Sequence, residues 1–114
     1  MLSLVVLVAS LSQGSELFNG KWDVVANGAS LVVDLKQNGR SIFGEAQYTN
    51  GTPFATVEGT VGPGVMRFSF TAPGLAKYQK YEGTAVLSGW DLRARGTFTQ
   101  TGFAGTFNWS AEKR

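Results

Sequence analysis

The chain has 114 residues, ten Lys and Arg against eight Asp and Glu, 12% aromatic residues, 15 glycines, and neither cysteine nor histidine. That length supports one domain around one core, and the aromatic content and low charge exclude a disordered chain while giving no sign of a polyanion partner. Without Cys or His there is no disulfide framework, thiol nucleophile, imidazole base or Cys-bearing zinc site, and no cofactor is implied.

Residues 1–11 (MLSLVVLVASL) form an uncharged apolar run. It is too short to span a bilayer, and it suits the h-region of a secretory signal peptide, with Val8-Ala9-Ser10 or Ser10-Leu11-Ser12 as small residues for cleavage. The expectation is therefore a signal at 1–12, a single domain over 13–114, and a secreted or periplasmic protein. The alternatives are a truncated longer signal or a retained segment packed on the domain, which would leave the protein cytoplasmic.

From Leu17 onward the pattern predicts eight short strands and no helix. The first covers 20–26 and ends at Asn27-Gly28; the second covers 30–37 and ends at Asn38-Gly39, both strong hairpin signals. In the second, Leu31, Val33 and Leu35 alternate with Val32, Asp34 and Lys36, giving one dry and one wet face. The third strand is 40–49, the fourth 54–61 before Gly62-Pro63-Gly64, and the fifth 65–71 before Ala72-Pro73-Gly74. The sixth is 78–87, the seventh 90–99 and the eighth 103–111, with turns at Ser88-Gly89 and Gln100-Thr101-Gly102. The segment 73–77 reads as the longest irregular connection.

Five of these strands carry a glycine between apolar residues: Gly44, Gly59, Gly83, Gly96 and Gly105. Side chains alternate faces along a strand, so each glycine shares the face of its apolar neighbours two positions away. Glycine in a strand marks a sharp bend or a close approach of backbone. The fold class expected is all-β, an eight-stranded antiparallel up-and-down barrel that closes on itself to remove exposed edges. A β-sandwich is the alternative, but its crossovers need longer connections.

Gly20-Lys21-Trp22 on the first strand resembles the Gly-x-Trp opening of calycin barrels, the group of lipocalins, fatty-acid-binding proteins and avidins. Leu17 to Trp22 also looks like the start of avidins, with Trp90 and Trp109 on late strands. The resemblance implies a barrel whose floor is closed by Trp22, covered by a cation from Lys113 or Arg114. Avidins follow the first tryptophan with an Asn and a Ser that bind the biotin ureido group. This chain instead has Val24 and a loop from Asn27 to Ser30, so that polar site is not reproduced position for position.

A barrel of this size is either filled or holds one small ligand. On the expected inner face Trp22, Phe68, Phe70, Tyr81, Trp90, Phe98, Phe107 and Trp109 line or fill the space that small residues leave. One reading is that each glycine makes room for an aromatic neighbour. The other is an apolar cavity for a small ligand, with Tyr48 or Tyr81 as its polar anchor. Glu45, Glu58 and Glu82 fall on the opposite face with Arg67, Lys80, Arg93 and Arg95, which predicts surface ion pairs and no acid/base pair. The basic and aromatic residues of 77–81 and 90–95 alternate to opposite sides, so no nucleic-acid face forms. The leading expectation is non-enzymatic binding of a small, largely apolar molecule inside the barrel. A packed structural or protein-interaction barrel and a barrel-type cyclase or isomerase are the alternatives; oligomeric state is left open.

Overall fold

The computed structural model describes residues 17–114; the expectations for 1–12 lie outside these residues. The described chain is a closed antiparallel barrel of eight strands in sequence order, β1 (Gly20–Ala26), β2 (Ala29–Asn38), β3 (Ser41–Gln47), β4 (Pro53–Gly62), β5 (Val65–Ala72), β6 (Leu75–Ser88), β7 (Asp91–Gln100) and β8 (Phe107–Lys113). β1 pairs with β8 from Trp22 opposite Lys113 to Ala26 opposite Trp109, so neither edge is left open. The alternation in β1 and β2 places Trp22, Val24, Leu31, Val33 and Leu35 inside.

The hairpins follow their turn residues. Asn27 and Gly28 both have positive φ, 49° and 84°, as a two-residue type I′ turn requires. At Gly89 φ is 61° and Trp90 completes the two-residue turn. The turn thus sits one residue later than Ser88-Gly89, β7 begins at Asp91, and Trp90 leaves the strand. Trp90 is 100% exposed, correcting its placement on the inner face. A second correction concerns β8, which starts at Phe107 because Gly102 and Gly105 take positive φ in an exposed connection over 101–106. Gly105 is therefore no strand glycine. That connection and the one over 48–52 are longer than the turn at Pro73-Gly74, because β6 begins already at Leu75.

The other four glycines lie where strands crowd. A Cβ on Gly44, Gly59, Gly83 or Gly96 would fall 1.8–2.1 Å from a carbonyl oxygen of the neighbouring strand. These positions let the sheet coil tightly enough to close. Gly83 and Gly96 face each other across β6 and β7, and Trp109 is the partner of Gly96 on β8. The Trp109 indole lies over the glycine pair and its Nε1 donates to the carbonyls of Glu82 and Thr97, each at 3.1 Å.

The lower end of the barrel is closed. Phe18 stacks on Trp22 with centroids 5.7 Å apart, and Trp22 Nε1 donates to the Phe18 carbonyl at 3.1 Å. The buried Gln37 clamps this plug: its Oε1 accepts from Phe18 N, and its own backbone N donates to Asn19 Oδ1. Phe18 thus covers the indole, while Arg114 turns outward and forks onto Asp23, with Nη2 donating at 2.9 Å and Nε at 3.1 Å. Between Trp22, Leu35, Met66, Phe68 and Trp109 only about 10 Å³ of free space remains, so the lower half is filled by side chains.

Candidate functional site at the barrel mouth

The opposite end is open. The short turns and the 48–52 and 101–106 connections surround a mouth with a volume of about 410 Å³. Its wall is built by register. Phe68 on β5, Tyr81 on β6, Phe98 on β7 and Phe107 on β8 are consecutive cross-strand partners. Their rings form a ladder, Phe68 stacked on Tyr81 at 4.7 Å, Tyr81 stacked on Phe98 at 4.6 Å, and Phe107 tilted against Phe98 at 5.4 Å. Trp109 meets Phe68 and Tyr81 edge-on from below, at 5.3 and 5.8 Å. Phe70 leans on Tyr81 at 4.7 Å. Such ring pairs add about 0.5–1.5 kcal/mol each beyond the area they bury, so the ladder holds its shape, and Tyr81, Phe98 and Phe107 border the opening.

The polar groups of the mouth run along the same wall. Tyr81 Oη donates to Gln79 Oε1 at 2.9 Å, and Gln79 Nε2 donates to Gln100 Oε1 at 2.9 Å. Burial, and then the neighbouring Tyr78, hold the Tyr81 hydroxyl far above its ordinary titration range. Tyr78 is also raised, by burial first and then by Tyr48. None of the described residues lining the mouth carries a formal charge at neutral pH.

Because the Tyr81 pKa is raised in the folded state, its contribution to stability is intact below the ordinary tyrosine value of about 10. It is lost as pH rises above that value, where the unfolded chain alone releases the proton. Tyr81→Phe should make the alkaline limb of a stability-versus-pH curve shallower, measured by urea unfolding between neutral pH and about pH 11.

The structure sorts the nine aromatic residues singled out in the sequence. Tyr81, Phe98 and Phe107 line the mouth, and Tyr48 stands on its rim, 55% exposed and stacked on Phe54 at 4.6 Å. Phe68 and Phe70 support the wall from within, while Trp22 and Trp109 belong to the filled lower half. Trp90 lies outside the barrel. Acrylamide should therefore quench one tryptophan component readily and two poorly, and Trp90→Phe should remove the accessible component and shift the remaining emission to the blue.

Sequence reasoning passed over Phe54, Tyr78, Gln79, Gln100 and Phe103, which also line the mouth. Parity offered a signal for the two glutamines: Gln79 lies two residues from Tyr81, and Gln100 two from Phe98.

The outer face carries a wider, solvent-open depression of about 900 Å³ bordered by Glu58, Arg67, Lys80 and Glu82. Arg67 Nε pairs with Glu82 Oε2 at 2.6 Å, and Arg93 pairs with Glu112 at 2.9 Å. Of the expected pairs Arg67–Glu82 forms, while Arg93 takes Glu112 instead; such exposed pairs contribute about 0–1 kcal/mol. The depression is the more open of the two and is bordered by charged side chains, so the mouth is the candidate site.

No family model matches the chain, and no curated protein matches it in sequence. Among solved structures, it is similar to a short afifavidin crystallised as its biotin complex. The TM-score is 0.54 with 17% identity, covering 89% of this chain and 98% of that one. The likeness establishes the avidin-type barrel fold. It agrees with the position of Gly20-Lys21-Trp22, which opens β1 and sets Trp22 on the floor.

Proposed function

We propose that this avidin-type barrel is a non-enzymatic binding module that seats one small, flat, uncharged and largely apolar molecule in its mouth. The observation carrying this reading is the contrast between the two ends. The lower half is packed to a residual 10 Å³, whereas the mouth keeps about 410 Å³ beside an aromatic wall, within the roughly 300–1,000 Å³ range of small-molecule sites. An ionised ligand buried there would meet no countercharge and would lose its hydration. Val24, the second residue after Trp22, is buried and apolar, so any contact with a biotin-like ligand would come from other residues than in the avidin pattern. The reading of 1–12 as an export signal would place this module outside the cytoplasm.

The test is titration with 6-propionyl-2-(dimethylamino)naphthalene, a flat neutral fluorophore whose emission reports polarity. One-to-one binding with a blue shift is expected. The double variant Tyr48→Ala/Phe103→Ala alters exposed rim residues only and should weaken binding about tenfold. Absence of saturable binding, or binding unchanged in the variant, would reject the mouth as the site.

A second reading, a protein-interaction barrel, draws on the exposed Leu75, Phe103 and Trp90, which are 53%, 61% and 100% accessible. It predicts that the rim variant and Trp90→Ser change association with a protein partner and leave small-molecule titrations flat.

A further inference from the structure

We infer that the mouth selects ligands that offer a neutral hydrogen-bond acceptor, such as a ring ketone, lactone or amide carbonyl. This rests on the mouth being the binding site, and names the chemistry that the site reads. The argument is one of hydrogen-bond direction. The Tyr81 side chain is buried, with 3% of its surface accessible, and its one hydroxyl proton needs an acceptor. The bond that supplies one is to Gln79 Oε1. A buried hydroxyl left unpaired would cost about as much as the whole bond is worth or more, which favours Tyr81 as the donor at this end of the chain of bonds.

Everything downstream follows. With its oxygen turned toward Tyr81, the Gln79 carboxamide must present its Nε2 to the next residue, and it donates to Gln100 Oε1. That leaves Gln100, which lines the mouth, with its oxygen engaged by Gln79 and its Nε2 as the other polar end. Among the described residues none accepts a hydrogen bond from this nitrogen, and no buried side-chain nitrogen or oxygen lacks a partner, so the group is reachable. A carboxamide can otherwise be turned in either sense; the Tyr81 hydroxyl bonded to Gln79 Oε1 favours this one. The strongly raised titration of Tyr81 keeps the donor in place through the neutral range.

The mouth therefore combines an aromatic wall with a donor that has no acceptor among the described residues. A flat ligand lying against Phe107 and Phe98 would bring an edge carbonyl to Gln100 Nε2 and satisfy it, whereas an amine or other pure donor would not. A carboxylate also accepts, but the absence of charge among the mouth residues leaves its ionisation unsupported.

The experiment compares 2-acetylnaphthalene, 2-ethylnaphthalene and 2-naphthoate at pH 7 as competitors of the neutral fluorophore, using the whole chain. The acetyl compound should bind about tenfold more tightly than the ethyl compound and more tightly than the naphthoate. Gln100→Leu, a substitution of similar size at a half-buried position, should erase the acetyl advantage, read as the ratio of the acetyl and ethyl affinities within the same variant. Tyr81→Phe should shrink it, because the two carboxamides can then turn over. Equal binding of the acetyl and ethyl compounds, or an advantage that survives Gln100→Leu, would overturn the acceptor rule with the mouth still a binding site. Failure of all three to compete, in a protein that does not bind the fluorophore either, would overturn both.

Discussion

Adding a single methyl group at Gly83 or Gly96 is expected to destabilise the protein by about 3 kcal/mol or more, a large share of the roughly 5–15 kcal/mol that holds a typical domain folded. The Cβ of Gly83→Ala would stand 2.1 Å from the Arg95 carbonyl oxygen and 2.8 Å from Trp109 Cζ2, and that of Gly96→Ala 1.9 Å from the Glu82 carbonyl oxygen. In each case the nearest obstacle is backbone, which cannot swing aside as a flexible side-chain end does. Relief would require β6 and β7 to separate, pulling away the two carbonyls that Trp109 bonds. Urea unfolding followed by circular dichroism measures the loss. The two single variants should not add in the double variant, because both force the same strand separation. Gly28→Ala has open space around its Cβ, and its smaller penalty, from positive φ alone, serves as the comparison.

The second large effect is expected at Trp109. Trp109→Ala should cost about 3–5 kcal/mol, since it empties the centre of the filled half, removes two edge contacts to the ladder and takes away the indole N–H bonds to the Glu82 and Thr97 carbonyls. Trp109→Phe keeps a ring on the glycine pair but not the N–H, and should cost about 1–3 kcal/mol for the indole bonds lost. The order Ala worse than Phe, each worse than the exposed Trp90→Phe, follows from burial and bonding together. Because Trp109 supports Phe68 and Tyr81 from below, Trp109→Ala should also weaken fluorophore binding at the mouth, although the indole itself does not line it.

Much of this fold was legible because it is written locally. Alternation in β1 and β2, together with Asn27-Gly28, marks both strands and their turn, and eight such units with short connections leave closure as the economical arrangement. Errors arose where one residue decides parity. At Ser88-Gly89-Trp90 the glycine can occupy either central position of the hairpin; the choice moves Trp90 from the strand into solvent. At 103–107 the residues around Gly105 mimic a strand glycine unit, but Gly102 and Gly105 together produce a loop.

The candidate site was harder to see. The ladder of Phe68, Tyr81, Phe98 and Phe107 depends on how four strands align, and a sequence shows which residues face inward without showing which stand side by side. The lower half holds Trp, Val, Leu and Met and the mouth holds Tyr, Gln and Phe, a division that appears only once the strands are aligned. Phe18 with Gln37 closes one end through a side-chain clamp spanning 19 residues of sequence. No local pattern signals such a contact.

The central claim, that one end of the barrel is a binding site and the rest is packed, is tested most directly by an amide chemical-shift titration of the isotopically labelled protein with 2-acetylnaphthalene. The account predicts saturable shifts at Tyr78, Gln79, Gln100 and Phe107, with Leu35 and Met66 in the filled half unmoved. Shifts confined to the outer depression around Arg67 and Glu82 or to the turn at Trp90, or none at ligand saturation, would contradict it.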